Sequence, residues 1–181
     1  MAVKTFTSEV LTSADTNTYL ANAGLVYVKS QLVGGTGVAS VTVTGAFSST
    51  YDNYRIILAG GTGSTSLSIS MRLGSTTANY YGSVLFANYG GGGAQAVSAN
   101  AETNMRYVGG ADTSYVQLNV DVCSPNLARA TTVGGTFQNN TAFGSCAYRL
   151  ADSTQYTAFT LTCDSGTISN GVITVYGYRL G

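Results

Sequence analysis

Val116-Gln117-Leu118-Asn119-Val120-Asp121-Val122 alternates apolar and polar side chains without a break. A strand turns successive side chains to opposite faces, so this stretch puts four aliphatics on one face and Gln, Asn and Asp on the other. That is the pattern of an antiparallel sheet with one face on a core and one in water. The same period of two runs through Val41-Thr42-Val43-Thr44 and Leu67-Ser68-Ile69-Ser70-Met71-Arg72-Leu73. Further strands are expected at residues 54–58, 80–86, 130–137, 142–150, 156–163 and 171–180, with Leu25–Val28 as an earlier one. Turn signals separate them: Gly60-Gly61-Thr62-Gly63, Gly90 to Gly93, Gly109-Gly110, Asn139-Asn140 and Asp164-Ser165-Gly166. Eight to ten short strands at this spacing predict an antiparallel β-sandwich of jelly-roll or related Greek-key type.

The N-terminal stretch reads differently. Leu11 to Gly24 carries a short helix signal, with Asp15 near the positive end of the helix dipole and Gly24 suited to the position after the last turn. Three units follow: residues 1–33 as an arm with one short helix, 34–37 (Gly-Gly-Thr-Gly) as a linker, and 38–181 as the sandwich.

Composition narrows the functional classes. The 181 residues hold 8 Lys plus Arg against 8 Asp plus Glu, so the formal net charge is zero and only 9% of residues are charged. An average soluble domain carries about 25%. Ser and Thr take the strand positions where most proteins use Lys and Glu. There is no histidine, so His-activated nucleophiles and His-ligated metals are excluded. No basic run offers an electrostatic footprint for nucleic acid, and no apolar run is long enough for a membrane helix. Net charge near zero favours association. The expectation is a non-enzymatic protein without cofactor or metal that assembles with copies of itself.

Most candidate residues also have a plainer role. The turn-flanking Asp52, Asp112, Asp152 and Asp164 read as cap residues, and Asp121 lies on a polar strand face. Any two could in principle serve a glycosidase, which keeps a polysaccharide depolymerase as a rival. Cys123, Cys146 and Cys163 read as small buried hydrophobes, with a Cys146–Cys163 disulfide open. Tyr80, Tyr81, Phe86 and Tyr89, beside the Gly90–Gly93 loop, have the Tyr/Gly/Asn composition of recognition loops and could stack on a sugar ring. Asn139-Asn140-Thr141 matches a glycosylation sequon. Tyr176, Tyr178 and Leu180 give the last strand a second apolar face, which suits an oligomer contact.

Two segments carry a family resemblance. Phe6 to Leu20, with Val10-Leu11-Thr12-Ser13-Ala14-Asp15-Thr16-Asn17-Thr18-Tyr19-Leu20, resembles the opening segment of many tailed-bacteriophage virion proteins. Phe47 to Leu58, with Tyr51-Asp52-Asn53-Tyr54-Arg55-Ile56-Ile57-Leu58, resembles a strand of the β-sandwich domains in phage fibre-tip proteins. The resemblance implies a homotrimer on the virion surface, made in the bacterial host cytoplasm. It implies attachment to a tail or major capsid protein through the arm, with Leu11, Thr12, Asp15, Asn17, Tyr19 and Leu20 as contacts. Two placements follow: a short tail fibre or receptor-binding tip that meets host surface polysaccharide, or a capsid cement protein at three-fold positions. A free-standing carbohydrate-binding module is a further alternative.

Overall fold

The computed structural model describes residues 24–178; the expected arm helix, its six contact residues and Leu180 lie outside that range. The described chain is all-β and antiparallel. Its fourteen strands are β1 (Leu25–Leu32), β2 (Ser40–Val43), β3 (Asn53–Ala59), β4 (Thr62–Gly63), β5 (Leu67–Leu73), β6 (Tyr80–Asn88) and β7 (Gln95–Glu102). They continue with β8 (Met105–Ala111), β9 (Val116–Cys123), β10 (Thr131–Gln138), β11 (Ala142–Leu150), β12 (Phe159–Cys163), β13 (Ile168–Ser169) and β14 (Val172–Tyr178).

β9, the strand read first, is where the sheet branches. One edge pairs with β3 from Leu118 to Cys123. The other edge is shared: β8 takes Val116–Leu118 and β10 takes Asn119–Cys123. Two arms result. The large arm runs β1-β14-β3-β9-β10-β11-β6-β7, and the small arm runs β2-β12-β5-β8. β8 also lies against β6, β10 and β11 without ladder pairing to them, so the arms face each other and the fold is sandwich-like.

The enclosed space holds one core. Leu118, Val120 and Val122 of β9 meet Tyr54, Ile56 and Leu58 of β3 in register, and Ile173 and Val175 of β14 continue the layer. Ile69, Met71 and Leu73 of β5 with Phe159 and Leu161 of β12 supply the opposite side. At about 25 cal/mol per Å² of apolar surface, such residues dominate the folding free energy.

Several sequence expectations need correction. The sheet takes in residues before 38, since β1 pairs with β14 from Leu25 to Leu32 with a bulge at Val28. Gly34 to Gly37 is stitched to the domain: Val33 N–H donates to the Gly171 carbonyl (2.8 Å), and Val38 bridges Ile168. Gly109-Gly110 is not a turn but the middle of β8. A Cβ on Gly110 would sit 2.2 Å from the Gln138 carbonyl, so backbone of the facing arm occupies the space of a side chain. β12 starts at Phe159 rather than 156, and β7 and most of β8 lie where no strand was expected. Of the cysteines only Cys146 is buried; Cys123 and Cys163 are half-buried, and all three are free thiols.

Candidate functional site

Two surfaces stand out, and register explains both. The first is the outer face of the large arm. Side chains opposite the core positions of β1, β14, β6 and β11 point there, and several are large and apolar. Leu25, Tyr27 and Leu32, spread along β1, form one row with Val172 of β14, the partner of Leu32. Tyr81 and Leu85 of β6 with Phe143 of β11 form the other, joined by Tyr89 in the following turn, whose ring lies 5.3 Å from Phe143. These eight are all the exposed large hydrophobic side chains among the described residues, and Leu32 reaches 72% exposure.

Between the clusters runs a polar band on β3, β9 and β10. Arg55 donates to the Asn119 side-chain oxygen (2.7 Å) and lies 3.7 Å from Asp121. The Tyr178 hydroxyl donates to Asp121 at 2.5 Å. That hydrogen bond, with burial second, raises the Tyr178 phenol above its ordinary pKa. Tyr176 lies edge-on to Tyr27, 6.4 Å between centroids. The outer face of the small arm is different: its neighbours pair hydroxyls, as in Thr42 with Thr160 (2.9 Å) and Ser40 with Thr162 (3.3 Å).

The second surface is a cleft of about 240 Å³ between the arms. Phe86, Tyr107 and Phe137 come to it from β6, β8 and β10, and Ser68, Asn88, Asn139, Thr141 and Asp164 supply its polar lining. Asn139 is structural: its Oδ1 accepts from the backbone N–H groups of Thr141 and Ala142, both at 3.0 Å, and from the Thr141 hydroxyl. The asparagine of the sequon is therefore buried and occupied.

The four aromatic candidates beside the polyglycine loop separate. Tyr81 and Tyr89 belong to the outer face and Phe86 lines the cleft. Tyr80 does neither. It is fully buried, its hydroxyl accepting from Leu73 N–H (2.9 Å) and donating to the Thr76 carbonyl (3.3 Å), and burial pushes its pKa up to about 12. Phe143, Leu85, Tyr107 and Phe137 were missed. Alternation within 142–150 places Phe143 opposite the buried Cys146 and Tyr148, which was the available signal for that residue.

The aspartates hold local structure. Asp112 accepts from Ser114 N–H (2.6 Å), Asp152 from Thr154 N–H (3.1 Å) and Asp164 from Ser68 N–H (2.8 Å). Among the described residues no three His, Cys, Asp or Glu side chains gather in a way that could hold a metal. No protein-family model matches the chain, and no curated protein matches its sequence.

Proposed function

We propose that this chain is a non-enzymatic structural protein of a tailed-bacteriophage virion, a homotrimer whose copies associate through the outer face of the large arm, at a tail-fibre or receptor-binding position. The observation that carries the reading is the segregation of exposed apolar side chains onto that one face. Scattered surface hydrophobics need no explanation, but a concentration on one sheet face marks an interface. At about 150–250 Å² for each fully exposed aromatic, the eight side chains leave roughly 700 Å² in water. A standard interface takes about 800 Å² from each partner, so one cluster, with roughly half of that exposed apolar area, would supply the apolar part of each contact and polar surface the rest. Two separate clusters on one molecule suit a head-to-tail contact, the kind that closes into a ring.

Strand order supports a jelly-roll reading of the fold. β2, β12, β5 and β8 are neighbours in one arm. β3, β11, β6 and β7 follow the corresponding order in the other, with the β9–β10 hairpin inserted between β3 and β11. Running through β2, β3, β5, β6, β7, β8, β11 and β12, the chain crosses between these sets at every step except β6 to β7, which pair as a hairpin. Two interlocked Greek keys of this kind occur in viral capsid and lectin domains. Fold alone does not assign function, so the weight rests on the apolar face and on the two segments that resemble virion proteins. The test is a cryo-EM map of particles carrying the labelled chain. Density at the tail tip is expected, whereas density on the capsid lattice would replace the tail placement with the cement one, and absence from particles would overturn the reading.

A further inference from the structure

The cleft between the arms contains a strained backbone position. Tyr107 has φ +54°, a left-handed conformation that is a genuine outlier for a bulky side chain. It sits where the β5–β8 ladder slips: Ile69 pairs Gly109, but the next pair is Met71 with Met105. The extra residues on β8 form a bulge, and bulges re-aim side chains. Here the bulge leaves Val108 in the core and turns the Tyr107 ring to the cleft, edge-on to Phe137 at 5.2 Å. Strain of this kind persists only where surrounding structure holds it, and it concentrates at ligand sites.

The polar lining is chemically uniform. It consists of hydroxyls, amides and one carboxylate, with no lysine or arginine. Asp164 Oδ1 accepts from Ser68 N–H and the Ser165 hydroxyl, while its Oδ2 has no partner among the described residues. Thr141 donates its hydroxyl to Asn139 and keeps lone pairs to accept. The Asn88 side chain likewise has no hydrogen bond among the described residues and can both donate and accept. Aromatic faces beside amide and carboxylate groups match a ring with C–H faces and hydroxyl edges. An anionic ligand would meet Asp164 with no cation in the lining to offset it.

We propose that this cleft binds a single neutral sugar ring, with Tyr107 and Phe86 against its C–H face and Asp164, Asn88 and Thr141 taking its hydroxyls. The proposal deepens the receptor-contact part of the reading above and rests on it for the source of the sugar. Binding itself belongs to the cleft and does not use the outer-face clusters.

Saturation-transfer NMR and calorimetry on the full chain test it, with methyl glucoside, methyl galactoside and N-acetylglucosamine as neutral probes, glucuronate as the anionic arm and choline as the cationic arm. At least one neutral sugar is expected to bind, with transfer strongest at its C–H protons. Tyr107→Gly relieves the backbone strain but removes a ring packed on the core, so its fold is checked by circular dichroism, and the folded variant should bind that sugar about tenfold or more weakly. Phe86→Leu should weaken it in the same direction. No binding by any neutral sugar, undiminished binding in folded Tyr107→Gly, or a preference for choline or glucuronate would overturn the proposal. The particle map and the mass of the same sample report on the reading above independently, since a monomeric protein that binds sugar would contradict assembly and leave the cleft standing.

Discussion

The Tyr178 hydroxyl reaches across β3 to donate to the Asp121 carboxylate on β9, at 2.5 Å. It ties the last described strand to the branch strand on the solvent side, while Ile173 and Val175 tie the same strands on the core side. Hydrogen bonds to charged groups contribute about 1.5–3 kcal/mol, less where the carboxylate is partly solvated as here. Tyr178→Phe is expected to lower stability by about 1 kcal/mol in urea denaturation. Tyr176→Phe, whose contact with Tyr27 is made by the ring, should change it by less than about 0.5 kcal/mol.

The close approach at Gly110 gives a prediction with an internal control. Gly110→Ala forces a methyl group into the Gln138 carbonyl at 2.2 Å, and neither backbone can yield cheaply. A loss of about 2–3 kcal/mol is expected, the upper part of the range for overpacking. At Gly134 the nearest atom to an added Cβ is 3.9 Å away and φ is ordinary. Gly134→Ala should therefore be neutral or stabilising by up to about 1 kcal/mol, because it lowers unfolded-state entropy. Thermal denaturation of the two variants side by side checks the contrast.

Stability should fall on the alkaline side. Burial pushes Tyr80 and Tyr148 up to about 12 and Cys146 and Cys163 up to about 11. In the unfolded chain these groups titrate near about 10 and 8.5. The folded state holds the protons more tightly, so this stabilisation is complete below about pH 8.5. It is lost as pH rises towards the folded values. Urea midpoints should be level from pH 7 to 8.5 and decline steeply between about 9 and 11. Tyr80→Phe should be weaker at neutral pH, having left Leu73 N–H unpaired, yet show a shallower alkaline decline.

Thiol chemistry follows from the same burial. Folded Cys146 should resist iodoacetamide at pH 8 and become reactive in urea, while half-buried Cys123 is alkylated first. Peptide mass mapping after short exposure distinguishes the sites, and equal labelling of both in the folded protein would contradict the assignment.

How far the sequence speaks depends on which physical signal each element carries. β9 and β5 were legible because alternation of Val, Leu, Ile and Met with polar residues directly records one buried face. β7 was not, because Ala and Ser at Gln95–Glu102 mark neither face strongly. β8 was read as a turn at Gly109-Gly110, where the glycines answer to backbone packed from the facing arm, a contact distant in sequence. The apolar outer face was half legible: Tyr81 and Tyr89 drew notice, but their union with Phe143 and Leu85 depends on the β6–β11 register. The cleft was not legible, since its residues come from five separated segments and Tyr107 is aimed by a bulge.

The proposed assembly joins copies of the chain through the outer face of the large arm. Light scattering coupled to size exclusion measures it most directly, on the full chain and on Leu32→Asp and Leu85→Asp, one substitution in each apolar cluster. Both side chains are exposed, so neither change should cost the monomer more than about 0.5 kcal/mol. The expected mass for the unaltered chain is three times its 18.6 kDa. Each variant alone should run as a monomer. A monomeric unaltered chain, or folded variants that keep the full oligomeric mass, would contradict the account.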